Sequence, residues 1–201
     1  MFDNAMWAFG RASGIVALVL LTISVVLGIL ARSGRPLPAI PRFSVQLIHR
    51  NIALAATVFT VLHVGTLLLD SYAKLSVIDV VVPFASAAKN PAWVGFGTVA
   101  VDLVIAVVVT ALLRRRIGAR VFKAVHWGAY ALWPIALAHA IGSGTNGAAV
   151  WFLVLGAVCC AAVAASIVWR LSRRFDEAAA VRQRTDDLYR DRSTIRQETR
   201  V

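Results

Sequence analysis

Apolar residues along this chain gather into five blocks, separated by short polar or basic stretches. The blocks lie at residues 12–31, 43–69, 93–113, 121–141 and 148–169. Each is close to the ~20 residues a helix needs to cross a hydrocarbon core about 30 Å thick. The pattern predicts an all-α fold, an integral membrane helical bundle with five transmembrane helices whose short loops join antiparallel neighbours. A sixth apolar stretch, SVIDVVVPFASAA at 76–88, is too short to span and is interrupted by Pro83. It is expected to lie on the outer surface and cap the bundle. The first block has its core at 14–31, longer than the ~7–15 residues of a signal-peptide core, and is expected to be a retained span.

Composition agrees with the pattern: 59% of the 201 residues are hydrophobic and the mean hydropathy is +0.75, where a soluble domain has roughly 45–50% apolar residues. The net charge of +11 raises nucleic acid as a partner, but the basic residues cluster at the ends of apolar blocks, where they orient helices in a bilayer. Arg32, Arg35, Arg42 and Arg50 flank the first connection, and Arg114, Arg115, Arg116, Arg120 and Lys123 the third. The opposite side has Arg11, Lys74 and Lys89. The expected partner is therefore a lipid bilayer and no nucleic acid. Positive-inside logic predicts a multi-pass cell-membrane protein with its N-terminus outside and its C-terminus in the cytoplasm. Adjacent Cys159 and Cys160 lack metal or redox spacing and read as packing residues.

The four histidines all fall inside predicted spans, His49 and His63 in the second, His126 and His139 in the fourth. Ionisable groups inside a membrane are costly and mark functional sites. Both spans run from cytoplasm to outside, so His49 pairs by depth with His126 near the inner face, and His63 with His139 near the outer face. Neutral imidazole is an axial ligand for haem iron, and a facing pair makes a six-coordinate haem suited to electron transfer. Separations of 14 and 13 residues correspond to about 21 and 19.5 Å of helix, enough for two haems stacked across the bilayer. Fourteen residues return within about 40° of one helix face, but thirteen miss by about 140°. A kink at Pro134 is the expected remedy. Small residues near the ligands, Ala53, Ala55 and Ala56 in one span and Gly128, Ala129 and Ala138 in the other, permit close approach.

HRNIALAATVFTVLH (49–63) and HWGAYALWPIALAH (126–139), with their paired spacing, resemble the ferric reductase-like transmembrane domain of ferric reductases, NADPH oxidases and the haem-binding membrane subunit of methionine sulfoxide reductase systems. The resemblance covers roughly residues 9–145. It implies a ferric reductase-like haem-binding transmembrane domain over 1–170, followed by a charged cytoplasmic tail at 171–201. It also implies two b-type haems, one on His49 and His126, the other on His63 and His139. Family members usually have six spans against the five counted here, and many carry a flavin- and nicotinamide-binding module that this sequence lacks. The resemblance thus implies an oxidoreductase membrane subunit that receives electrons from a separate cytoplasmic electron-donor protein and delivers them to an outside acceptor.

Weaker signals surround this core. Arg50, Arg42, Arg120 and Lys123 are candidates for the propionates of an inner haem, where topology and lipid contact explain them equally simply, and Arg11 for those of an outer one, where interfacial snorkelling is the simpler reading. Asp102 is a candidate partner for Arg11 or a proton relay. Trp127, Trp133, Tyr130 and Phe59 are candidate pocket walls, though core packing explains most such aromatics. GFGTVA (95–100) follows no strand, GSGTNG (142–147) lacks a phosphate-loop lysine, and PFAS (83–86) lies on the wrong side for a flavin. In the tail, Val181, Leu188 and Ile195 recur every seven residues and offer a seam for a donor, against the simpler reading of a solvated segment. Two rival functions stay open: a histidine-lined membrane transporter or proton channel, and a haem-free scaffold subunit.

Overall fold

A computed structural model describes residues 2–33, 41–70, 75–85, 90–143 and 147–172. Every regular element among them is helical: α1 (Phe2–Arg32), α2 (Arg42–Leu69), α3 (Val77–Val81), α4 (Pro91–Leu112), α5 (Arg114–His126), α6 (Ala129–Ser143) and α7 (Val150–Leu171). Four of these, α1, α2, α4 and α7, are long and apolar enough to cross a membrane. They match predicted spans to within a few residues, except that α1 begins ten residues before its block. The tail beyond 172, Arg35, Lys74, Lys89 and the side chain of Arg42 fall outside the described residues.

The fifth predicted span, 121–141, is not one helix. The basic run starting at Arg114 forms α5, which is interrupted at Gly118 (φ 82°, ψ 162°) and has no buried residue. The chain then breaks at Trp127–Gly128, where Gly128 N–H donates to Val125 O rather than to the carbonyl four residues back. The 15-residue α6 is about 22 Å long, short of a full crossing. α6 runs through Pro134 without interruption, and a further irregularity, the break next to His126, separates His126 from His139.

α3 is a five-residue helix started by a capping box: Ser76 Oγ accepts from Asp79 N–H, and Asp79 Oδ2 accepts from Ser76 N–H. It does not span. Thr98 Oγ1 donates to Asp79 O at 2.6 Å and ties α3 to α4. Gly95 leaves room on α4 for the Phe84 ring.

The core lies where α1, α6 and α7 meet, around Leu18, Trp133, Leu137, Cys159 and Val163, and continues to α4 through Ala100, Val104 and Leu132. Trp133 Nε1 donates to Thr22 Oγ1 at 2.9 Å, a buried polar contact that sets α6 against α1. Both cysteines are free thiols; Cys159 is buried in this core, as expected of a packing residue, whereas Cys160 is exposed, against that expectation. α2 packs along α1 and has no comparable contact with α5 or α6. Its outward face, with Leu54, Val58 and Val61 more than half exposed, suits acyl chains rather than water.

Candidate haem-binding site

The four histidines come together as two facing pairs across the slot between α2 and the α5–α6 element. The ring centres of His49 and His126 are 6.2 Å apart and their planes nearly perpendicular at 89°. Those of His63 and His139 are 6.3 Å apart at 75°. Two metal–nitrogen bonds of about 2.0–2.1 Å, plus the half-widths of two rings, put imidazoles that share one metal about 6 Å apart. The separation thus matches that of two ligands on opposite sides of one ion.

Three of the rings are oriented by main chain. His49 Nδ1 meets Ser24 O at 2.9 Å, His63 Nδ1 meets Gly10 O at 2.7 Å, and His139 Nδ1 meets Trp93 O at 2.7 Å. A carbonyl only accepts, so each Nδ1 is the donor and each Nε2 keeps its lone pair for the gap. Such partners of the distal nitrogen fix tautomer and orientation in metal-ligating histidines. His126 differs: its Nδ1 is buried without a hydrogen-bond partner, and the ring leans on Phe122, 5.1 Å away in its own helix.

Around the His63 pair lies a cavity of about 350 Å³, lined among others by Arg11, Gly14, His63, Asp79, Gly97 and His139. This is within the range of about 300–1,000 Å³ for small-molecule and cofactor sites. Among the described residues no group of three or more His, Cys, Asp or Glu side chains forms. A bare transition ion usually needs three or four protein ligands. Two opposed imidazoles suit a metal whose remaining ligands come from a macrocycle, as in haem. The donor set and the slot therefore fit haem.

The other candidates separate. Arg11 lines the cavity and lies over the Trp7 ring, 4.3 Å from its centre, and makes no ion pair with Asp102, contrary to that expected pairing. Asp102 is half-buried on α4. Arg50 is exposed; adjacent helix residues project about 100° apart, so it turns away from the face of His49. Arg120 and Lys123 are exposed as well. Trp133 belongs to the core, and Trp127 and Tyr130 flank Arg170, whose Nη1 donates to Tyr130 Oη. The hydroxyls of Thr57 and Thr60 donate to Ala53 O and Ala56 O of their own helix and build no polar path.

Sequence reasoning missed the glycines on which the rings lie. A Cβ on Gly14 would come within 2.8 Å of His63 Nδ1, one on Gly97 within 2.6 Å of His139 Cε1, and one on Gly28 within 3.3 Å of His49 Cε1. A signal was available, since Gly14 and Gly28 are 14 residues apart, as are His49 and His63 on the antiparallel neighbour.

A helical membrane bundle with two pairs of opposed histidines defines a multi-pass membrane protein of the bis-histidine type. Over residues 13–137, more than half of the chain, it matches the family model of the ferric reductase like transmembrane component, and it belongs to that family. No curated protein and no solved structure matches the chain. The family match includes three of the four histidines and ends two residues before His139.

Proposed function

We propose that this protein is a dihaem b-type cytochrome subunit that moves electrons across the membrane, from a cytoplasmic flavoprotein or similar reductant to an acceptor outside. It is read as the membrane component of an oxidoreductase. Family membership supports a membrane electron-transfer component. The observation that carries the finer reading is the pair of 6.2 and 6.3 Å ring separations, with three of the four distal nitrogens bonded to main chain.

When bound, two haems supply one-electron chemistry at two depths of the bilayer. His49 and His126 hold the haem nearer the cytoplasm, and His63 and His139 the haem nearer the outside. Arg11, at the cavity wall, offers a cation to the carboxylates of the outer group; Arg50 is assigned to the inner interface, where the basic residues gather. The apolar lining excludes water, which preserves low-spin bis-imidazole ligation. The lack of a hydroxyl path from Thr57 and Thr60 favours this reading over a proton channel.

The test is a dithionite-reduced minus oxidised spectrum of the detergent-purified protein, with haem and protein quantified together. About two low-spin b haems per chain are expected, one for each axial pair. A haem-free preparation, after expression with ample haem supply, sinks the assignment and restores the transport and scaffold readings.

A further inference from the structure

Three of the four imidazoles use one backbone device. Each reaches the carbonyl of a residue on a neighbouring helix and lies over a glycine four residues further on: Gly10 with Gly14, Ser24 with Gly28, and Trp93 with Gly97. Helix geometry explains the offset. The Cα–Cβ bond tilts toward the helix N-terminus, so a side chain at the later position overhangs the carbonyl one turn before it. Glycine uncovers that carbonyl, whose second lone pair is still free to accept after the helix's own hydrogen bond. On α1 a single antiparallel register serves both histidines of α2.

α4 has no fourth seat in this register. His126 precedes His139 by 13 residues, and on the unbroken α4 a residue 13 beyond Gly97 projects about 140° away from it. His126 Nδ1 is the one left without a partner.

We propose that Gly14, Gly28 and Gly97 are positioning residues for the haem ligands, and that His126 has no such seat. The His49–His126 pair then has a single seated ligand and is the more weakly held site. This rests on the dihaem reading above. Other glycines serve packing or nothing visible: Gly142 makes room for Trp93, and a Cβ on Gly65 would meet nothing within 4 Å.

The test uses the purified full-length chain, read by haem-to-protein ratio and by low-temperature EPR of the ferric low-spin haems. Neither depends on turnover, and His63→Ala assigns the two signals. Gly97→Ala and Gly14→Ala are expected to remove the outer haem or turn it high-spin, taking low-spin haem from about two per chain to about one. The inner signal should keep its g values, which also shows that the bundle is intact. Gly28→Ala crowds its ring less and is expected to shift the inner signal without abolishing it. Gly65→Ala should match wild type. Two unchanged signals in Gly97→Ala overturn the proposal, as does loss of both haems from that variant, which marks a bundle-wide defect. A wild-type chain without haem is a different result: it sinks the dihaem reading, and the seats with it.

Discussion

At the His63–His139 level both rings donate to main-chain carbonyls and lie over glycines, whereas at the His49–His126 level only His49 does. The difference follows the helices that deliver the ligands. His63 lies inside α2 and His139 about one turn before the end of α6, and both face neighbours in steady register. His126 is the last residue of α5, a basic helix with no buried residue and an interruption at Gly118. A continuous packed helix delivers a side chain and its acceptor together, because register fixes both at once. At a helix end that coupling is lost, and the ring rests on its own neighbour Phe122 instead.

The largest effect that would break this comparison is expected from His139→Ala. It should remove one haem of about two while the other keeps its low-spin spectrum, since each axial pair serves one iron. Simultaneous retention of both haems in the purified variant rules out the pairing. Trp133→Phe is expected to act on both levels equally and weakly. It removes the hydrogen bond to Thr22, worth about 0.6 kcal/mol within a membrane. The thermal unfolding midpoint should drop slightly with the haem ratio unchanged; selective loss of one haem would place Trp133 in the site instead.

Much of this architecture is legible in one dimension. The apolar blocks that became α1, α2, α4 and α7 match within a few residues, apart from the early start of α1, because the bilayer dictates length and composition together. The pairing of His49 with His126 and His63 with His139 could be read by depth, since helical rise converts residue number into height. Facing direction was harder. The 13-residue spacing required an irregularity, and besides Pro134 inside α6 the chain breaks at Trp127–Gly128, which the sequence pattern did not single out. The Gly95–Ala100 run, set aside as a nucleotide motif, has in Gly97 the residue that underlies His139.

By itself the sequence determined that this is a helical membrane bundle, which elements carry the four histidines, and at what heights those histidines stand. These follow from hydropathy and from the constant rise of a helix, both local properties. Only the tertiary structure decided which carbonyl each ring meets, that glycines open those carbonyls, that Arg11 reaches the cavity while Arg50 turns away, and that His126 is left unanchored. Those outcomes depend on the register and rotation of helices distant in sequence, and side-chain packing between helices sets both.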